Sequence, residues 1–287
     1  MFENPHPFFE QALFRSLGKT VTIDNYTVLG GGSINMAVAL NTSEGQFFIK
    51  YNEHAPKDMF TIESKGLQTL REANEMHIPE VLGVGEDFLV LEFIAGRRTK
   101  GDYWGDFGRS LAKLHRHSQV NFGLDYNNYI GRLEQINDPM EDGISFFIEK
   151  RLKVQAGKAF YDGYINQEML RQFDQLYEKL PSLIPNEKPA LLHGDLWSGN
   201  VISNHVGLVA LIDPAVYYGL REVEIAFTHM FGSFNERFYR AYHESFALEP
   251  GFDQRVDIYN LYPTLVHVNL FGSSYVNGMK RTLDKYC

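Results

Sequence analysis

Three polar residues between 191 and 213 have the types and the order needed to move a phosphoryl group. The segment His193-Gly194-Asp195-Leu196-Trp197-Ser198-Gly199-Asn200 is followed further along the chain by Asp213. Phosphoryl transfer asks little covalent chemistry of a protein, but it needs an oriented nucleophile and metal ions that neutralise phosphate charge. Asp195 would accept the proton of an acceptor hydroxyl. Asn200 and Asp213 would hold Mg²⁺, a hard cation that prefers oxygen ligands.

Either of the first two residues alone has an ordinary explanation, since Asp195 or Asn200 could simply cap backbone groups in a buried turn. The combination is more specific. An aspartate, an asparagine five residues later and a second aspartate at a strand end match the catalytic template of kinases. Apolar pairs alternate here with Gly, Asp and Asn, which is typical of short strands that carry functional loops. The combination favours a metal-assisted kinase site.

A second set of residues, in the first third of the chain, has the order of a nucleotide site. Gly30-Gly31-Gly32-Ser33 lies between two predicted strands, where glycines let backbone N–H groups approach phosphates. Lys50 on the second strand would reach the α- and β-phosphates of ATP, and Glu63 on the next helix could pair with it. Glu92, Phe93 and Ile94 would form the hinge that meets adenine through main-chain groups. Each feature alone is usually a turn or a solvated charge, but their order repeats the kinase plan.

The elements that must position these residues fall into two parts. Asn4 and Pro5 could open a short helix that runs to Leu17. Alternating apolar residues then predict strands at 34–40, 46–51, 80–84 and 88–94, with one helix over about 58–76. The remainder is mainly helical, with helices predicted at 104–117, 139–157, 167–180, 234–246 and 252–275. The sequence thus predicts an α+β, protein-kinase-like fold with a cleft between two lobes: a β-rich nucleotide-binding lobe at 1–94 and an α-rich catalytic and substrate lobe at 95–287.

Composition limits the partners. The 287 residues are 44% hydrophobic and 22% charged, which is ordinary for a globular protein. A net charge of −9 argues against a broad nucleic-acid or anionic-membrane surface, because both need basic patches. Cys287 is the only cysteine, which excludes an internal disulfide and fits a reducing compartment. With no signal peptide or apolar span in view, we expect a cytoplasmic protein without nucleic-acid or membrane partners; oligomeric state is not indicated.

Several longer segments resemble one family. They are LLHGDLWSGN (191–200), IDPAVYYGLRE (212–222), FGSFNERFYRAY (231–242), NYIGRLEQIN (128–137) and LVHVNLFG (265–272). Together they resemble the fructosamine-3-kinase and ketosamine-3-kinase family, a relative of aminoglycoside phosphotransferases and choline kinases. The resemblance implies an ATP-dependent kinase for the 3-hydroxyl of a ketosamine, free or protein-bound, with Asp195 as proton acceptor. Elimination of the C3 phosphate would then release the amine and deglycate it.

Aromatic residues suggest how such a substrate would be held. Trp197, two residues past the proposed base, and His267, on the last long predicted helix, are predicted substrate contacts. The aromatic series Phe227, Phe231, Phe234, Phe238 and Tyr242 falls at helical spacing and is predicted to be core.

The chain departs from the family pattern at three places. Ser33 stands where many relatives carry cysteine, residues 144–145 stand where a tryptophan is common, and Glu224-Ile225-Ala226 replaces Asp-Leu-Ala. The preferred sugar and amine therefore stay open. One alternative is a phosphotransferase for another small alcohol, such as an aminoglycoside or choline. Another is a catalytically silent pseudokinase, although such proteins usually lack the base or a metal ligand.

Overall fold

The computed structural model describes residues 6–30 and 35–287 of the chain. These residues form two compact units. Unit 1 comprises the residues up to Tyr103 together with Gly199–Pro214, and unit 2 comprises Trp104–Ser198 together with Ala215–Cys287. The lobes predicted at 1–94 and 95–287 follow chain order alone, and their boundary stays a prediction. The predicted helix start at Asn4 and Pro5 lies outside the described residues.

The secondary structure alternates short strands and helices. The strands are β1 (Ile23–Leu29), β2 (Met36–Thr42), β3 (Gly45–Tyr51), β4 (Val81–Val84), β5 (Phe88–Glu92), β6 (Asn128–Ile130), β7 (Leu133–Gln135), β8 (Ala190–Leu192), β9 (Val201–Ser203), β10 (Val209–Leu211) and β11 (Tyr217–Gly219). The helices are α1 (His6–Leu17), α2 (Met59–Ala73), α3 (Tyr103–Leu114), α4 (Gly143–Phe146), α5 (Lys153–Tyr161), α6 (Gln167–Leu183), α7 (Arg221–Phe227), α8 (Glu236–Ser245), α9 (Phe252–Tyr259), α10 (Leu261–Phe271) and α11 (Val276–Tyr286). A π-helical turn spans Phe147–Leu152, and 3-10 turns span Ser198–Asn200 and Ser273–Tyr275.

Unit 1 is built on an antiparallel sheet of spatial order β1-β2-β3-β5-β4. The central strands bury runs of neighbouring side chains rather than a strict alternation: β2 buries Val38 to Leu40, and β5 buries Phe88 to Leu91. The β2–β3 turn is closed by Thr42, whose hydroxyl accepts from the Glu44 N–H at 3.1 Å and donates to the Gly45 carbonyl at 2.9 Å. The strand order places β3, which carries Lys50, in the middle of the sheet.

Helix α1 covers one face of this sheet. Phe9 and Leu13 on the helix join Val38, Ile49 and Val90 in one buried cluster. The helix approaches β4 closely because position 83 is glycine: a Cβ there would lie 2.0 Å from Ser16 Oγ. The helix therefore contributes its apolar stripe to the core that supports the nucleotide-side residues.

Unit 2 is mainly helical, and several of its elements differ from the prediction. The helix predicted at 139–157 is present as α4, the π-helical turn and α5. The helix predicted at 252–275 is divided into α9, α10 and a 3-10 turn, because the backbone turns at Asn260 and again at Gly272, where φ is 92°. Sequence periodicity missed α7 because all seven of its residues are buried, which leaves no polar face to mark a helical period. It also missed the three-residue strands β6 and β7, which are too short to show alternation.

The prediction that the aromatic series 227–242 belongs to the core is wrong at one position. Phe227, Phe234, Phe238 and Tyr242 are buried, whereas Phe231 is 43% exposed. Its backbone lies between α7 and α8 and has a φ of 54°. The spacing of these residues therefore does not indicate a buried helical face at Phe231. None of the helices in the part of the chain that the structure describes has the length and hydropathy of a membrane span.

Phe9 and Phe14 offer a matched test of how strongly α1 depends on its buried stripe. Phe9 is fully buried, whereas Phe14, on the same helix, is largely exposed. Phe9→Ala should lower the free energy of unfolding by about 3–5 kcal/mol through lost burial and a cavity. Phe14→Ala should change it by no more than about 0.5 kcal/mol. Urea unfolding of both variants measures the difference; equal effects would show that α1 is not anchored through Phe9.

Candidate active site

Lys50 lies at the centre of a buried ion-pair group in unit 1. It sits on β3 between Ala37 of β2 and Leu89 of β5, so its side chain has a rigid base. Its Nζ lies 2.7 Å from Glu63 Oε1 on α2 and 2.5 Å from Asp213 Oδ1. Burial alone would lower the pKa of Lys50, but the Asp213 and Glu63 carboxylates raise it above its usual value. Lys50 is therefore held charged and fixed in direction.

Asn200 and Asp213 flank the open end of one hairpin. Strands β9 and β10 pair with Val201 opposite Leu211, and just beyond them the Ile212 N–H donates to the Asn200 carbonyl at 3.1 Å. Asp213 is half-buried and has a left-handed φ of 57°, a region that aspartate tolerates better than most residues. The hairpin register thus brings the two predicted metal ligands to one end of the same element.

This donor set fits Mg²⁺, which commonly binds one or two carboxylates together with substrate phosphates and water. Among residues 6–30 and 35–287 there is no cluster of three or more His, Cys, Asp or Glu side chains arranged to hold a metal. A cation at Asp213 and Asn200 would therefore depend on ligand phosphate oxygens to complete its coordination.

The predicted hinge residues follow the end of β5. The Glu92 side chain turns to His77, with both carboxylate oxygens 3.1 Å from Nε2, and also accepts from the Glu80 N–H. Phe93 and Ile94 are half-buried, and no other described residue hydrogen-bonds their main-chain groups. The Glu92 carboxylate is therefore engaged by neighbouring residues, and the hinge role of this segment stays a prediction.

The glycine-rich loop is described only at its start. Gly30 is an exposed turn residue directly after β1. The other predicted phosphate-loop residues, Gly31, Gly32 and Ser33, lie outside the described residues.

Asp195 is carried by a tightly constrained loop in unit 2. The loop follows β8, which pairs with β11, and the Ala215 N–H donates to the His193 carbonyl at 2.9 Å. Gly194 has a φ of 84°, and a Cβ there would lie 1.9 Å from the Ala215 carbonyl oxygen. Only glycine fits this position without displacing the chain. The Asp195 N–H in turn donates to His193 Nδ1 at 3.3 Å, so the histidine orients the loop.

A buried glutamate holds the backbone of this loop. Glu224 on α7 accepts from the Gly194 N–H at 2.7 Å and the His193 N–H at 3.2 Å, and it lies 2.9 Å from His115 Nε2. His115 Nδ1 is 2.8 Å from the Tyr242 hydroxyl. Burial alone would raise the pKa of Glu224, but hydrogen bonds from His115 and Gly194 and the nearby His193 lower it below its usual value. The carboxylate is therefore ionised beneath the loop.

Sequence reasoning treated Glu224 only as a departure from the family pattern. The signal that could have found Glu224 is its setting: a carboxylate within the run Val223-Glu224-Ile225-Ala226-Phe227. A charged side chain in a fully buried helix must be paired or hydrogen-bonded. The backbone N–H groups of a neighbouring loop can serve as its hydrogen-bond donors.

A second buried network backs the substrate side of unit 2. Arg151, fully buried in the π-helical turn, donates to the Ile136 carbonyl at 2.6 Å and to Asn137 Oδ1 at 2.7 Å. Its guanidinium lies 4.0 Å from the centroid of the Tyr217 ring. Tyr262 joins the network by donating to Gln135 Oε1 at 2.6 Å. The motif at 128–137, which the sequence offered only as a family resemblance, thus forms a polar wall behind two tyrosines.

Those tyrosines line a cavity that Asp195 also lines. Most of its other walls are apolar, including Phe227 and Val266. His267 lines it as well; burial lowers the pKa of His267, and its Nδ1 lies 2.7 Å from the Pro263 carbonyl. The neutral ring must donate through Nδ1, because a carbonyl only accepts, so Nε2 carries the lone pair.

Trp197 is not among the residues that line this cavity. Its ring centroid lies 6.0 Å from that of Phe231, which in turn lies 4.8 Å from that of His267. The structure therefore links the two predicted substrate contacts through an aromatic residue that sequence reasoning had assigned to the core.

The fructosamine kinase family model matches residues 7–287. The chain belongs to the fructosamine kinase family. A Vibrio parahaemolyticus protein named "Probable ketoamine kinase" is 34% identical, covering 96% of this chain and 98% of that protein. The chloroplastic protein-ribulosamine 3-kinase of Arabidopsis thaliana is also 34% identical, covering 94% and 84%.

Solved structures agree with this assignment. A candidate fructosamine-3-kinase from Haemophilus somnus superposes with a TM-score of 0.87 at 29% identity, covering 97% of this fructosamine kinase family member and 96% of that chain. A ternary complex of an aminoglycoside phosphotransferase with streptomycin and ATP has a TM-score of 0.68 at 14% identity, covering 99% and 97%, which shows the fold alone. The predicted family, the α+β protein-kinase-like fold class and the assignment as a phosphotransferase are confirmed.

Glu224→Gln tests the buried anchor of the catalytic loop. The amide keeps the shape but loses the charge, so the free energy of unfolding should fall by about 1.5–3 kcal/mol, and misplacement of Asp195 should lower kcat by up to about 100-fold. Because the pKa of Glu224 is lowered on folding, its stabilising contribution is present above the pKa of an unfolded glutamate and is lost as pH falls toward the folded value.

The stability gap between the parent protein and Glu224→Gln should accordingly shrink below about pH 4.3. Denaturant unfolding at several pH values measures this gap. Glu236→Gln, an exposed substitution of the same chemistry on α8, is the control and should change neither stability nor kcat. A Glu224→Gln protein with unchanged kcat and a pH-independent gap would contradict the anchoring role.

Proposed function

We propose that this protein transfers the γ-phosphoryl group of ATP to the 3-hydroxyl of a ketosamine, an amine joined to a ketose. The observation that carries the proposal is the placement of Asp195 on a glycine-constrained loop, at the wall of a mostly apolar pocket. A base fixed at the wall of such a cavity suits deprotonation of a bound hydroxyl. The named relatives act on ketoamines and ribulosamines, which supports the same substrate class here.

The nucleotide side of the reaction is assigned to unit 1. Lys50, held charged by Glu63 and Asp213, would contact the α- and β-phosphates of ATP. Asp213 and Asn200 would hold Mg²⁺, which neutralises phosphate charge when bound. The main chain at Glu92, Phe93 and Ile94 would meet adenine, and Gly30, Gly31, Gly32 and Ser33 would approach the phosphates.

The acceptor side is assigned to unit 2. The Asp195 carboxylate takes the proton of the 3-hydroxyl while the hydroxyl oxygen bonds to the γ-phosphorus of ATP. The bond between that phosphorus and the oxygen that bridges to the β-phosphate breaks at the same time, and ADP leaves. Trp197 and His267 would hold the sugar so that this hydroxyl meets the phosphorus. The product carries phosphate on C3, next to the C2 carbonyl. Loss of a proton from C1 gives the C1–C2 enolamine, the C3–O bond to phosphate then breaks, and hydrolysis of the resulting imine releases the amine. The protein would thereby deglycate free or protein-bound amines.

The cavity favours a ketosamine over a polycationic aminoglycoside. Its lining carboxylates are Asp195 and Glu224. The oxygens of Glu224 already accept from Gly194 and His193 and contact His115. An aminoglycoside needs several acidic partners, whereas a ketosamine presents mainly hydroxyls and one amine. We further propose that the protein acts in the cytoplasm without nucleic-acid or membrane partners, in keeping with its net charge of −9.

Asp195→Asn tests the proposed base. The amide keeps the hydrogen-bonding reach but cannot accept the proton, so kcat should fall by roughly 10²- to 10⁴-fold while ATP binding persists. ADP release should be measured with a ribulosamine, a fructosamine and an aminoglycoside as acceptors, together with equilibrium binding of ATP. Activity with the aminoglycoside alone would refute the substrate class, and a variant that retains most of its kcat would refute the base.

Lys50→Ala and Asp213→Ala test the nucleotide side. Lys50→Ala should mainly raise KM for ATP, since it removes a phosphate contact, and Asp213→Ala should abolish turnover at any Mg²⁺ concentration. Lys57→Ala is the matched control. The Lys57 side chain is 86% exposed, and its ion pair with Glu86, at 3.6 Å, is longer than the contacts of Lys50. Steady-state kinetics with ATP and Mg²⁺ varied separately give the result. Unchanged ATP kinetics in Lys50→Ala would contradict the assignment of unit 1.

A further inference from the structure

Phe231 combines three features that packing alone does not explain. It is a large apolar residue that is 43% exposed, and it lies outside any helix or strand. Its backbone φ is 54°, and the next residue, Gly232, has a φ of 87°. A bulky residue rarely adopts this left-handed conformation, and such strain concentrates at ligand-binding sites. The turn therefore displays an aromatic ring in a place where folding alone would not put one.

Phe231 belongs to a row of aromatic rings that we call the aromatic strip: Trp197, Phe231, His267, Phe271 and Tyr275. From the His267 ring centroid, the ring of Phe231 lies at 4.8 Å, that of Tyr275 at 5.1 Å and that of Phe271 at 5.5 Å. Phe271, at the end of α10, is 50% exposed. The strip thus presents ring surface to solvent at two of its members.

The strip is continuous with the cavity that contains Asp195. His267 is the shared residue, because it lines the cavity and contacts three other rings of the strip. Its Nε2 lone pair can accept a hydrogen bond from a hydroxyl or an ammonium group. A ketosamine has a sugar portion, which must reach Asp195, and an amine portion, which must extend away from it. The aromatic strip is the surface that leads outward from the cavity through His267.

We infer that the aromatic strip binds the amine portion of the substrate and selects ketosamines whose amine carries an aromatic or long aliphatic group. The inference rests on the proposed function. The secondary ammonium would lie against the ring faces as a cation–π contact, and the apolar substituent would cover Phe231 and Phe271. An acidic substituent would be disfavoured, because ring faces carry negative partial charge and the protein as a whole is acidic.

The test compares ketosamines that share one sugar and differ only in the amine: benzylamine, hexylamine, glycine and glutamate. The parent protein should use the benzylamine and hexylamine compounds with a kcat/KM about 10-fold above that for the glutamate compound. Phe231→Ala and Phe271→Ala should each lower kcat/KM for the benzylamine compound by about 3- to 10-fold, chiefly through KM. Both should leave KM for ATP unchanged, and both should lower kcat/KM for the glycine compound less than for the benzylamine compound, because the glycine compound keeps the ammonium but has no apolar substituent to cover the rings.

Tyr161→Ala is the control, because Tyr161 is 90% exposed on α5 and outside the strip; it should behave as the parent. Phe231→Leu keeps an apolar side chain but removes the ring. Because the inference assigns the contact to the ring face, kcat/KM for the benzylamine compound should fall as much in Phe231→Leu as in Phe231→Ala. Calorimetric binding of the 3-deoxy benzylamine compound should show the same losses without turnover. Equal use of all four amines, with no effect of Phe231→Ala, would overturn the inference while the proposed function stands. Failure of every ketosamine to release ADP would overturn the proposed function and the inference with it.

Discussion

The buried carboxylate of Glu224 makes the interactions on which the loop that carries Asp195 depends. Removing a carboxylate from water costs several kcal/mol unless hydrogen bonds replace its hydration. Glu224 meets this demand with the N–H groups of His193 and Gly194 and with His115. The dependence runs both ways, because those N–H groups are themselves removed from solvent and need an acceptor. The backbone ahead of Asp195 is thereby fixed by charge rather than by side-chain packing alone.

Unit 1 also contains a buried charged side chain that is stabilised by partners of opposite charge. Lys50 is buried on a central strand, and its charge persists only because Glu63 and Asp213 neutralise it. Burying one partner without the others would leave an uncompensated charge, so strand β3, helix α2 and the segment after β10 are held together by this group. Glu63 lies on the helix and is largely buried, whereas Asp213 is more exposed. A phosphate that approaches Lys50 therefore competes with Asp213 rather than with Glu63.

The pairing of Lys50 with Glu63 was expected from the sequence and is present in the structure, because the positions of both residues follow from local elements. Lys50 is a strand residue and Glu63 a helix residue, so alternation and periodicity were enough to place them. Glu224 and Arg151 were not predicted as site residues, because their roles come from partners distant in the chain, such as His115 and Tyr217. Phe231 was misassigned because helical spacing carries no information on a turn. The left-handed φ that exposes its ring is a property of backbone geometry, and no residue type at 231 announces it.

Unit 2 therefore joins two regions with different physical characters. Around Asp195 the loop is overdetermined: a glycine that no other residue can replace, a backbone hydrogen bond to Ala215 and a buried carboxylate all restrict it. A general base must lie within hydrogen-bond reach of the group whose proton it takes, roughly 2.6–3.2 Å between heavy atoms, so a rigid loop would favour the role proposed for Asp195. Around Phe231 and Phe271 the surface consists of exposed rings, whose contacts are adaptable and tolerate varied partners. The proposed reaction would suit this combination, because every ketosamine must bring the same hydroxyl to the base, whereas the apolar group on its amine differs from one substrate to the next.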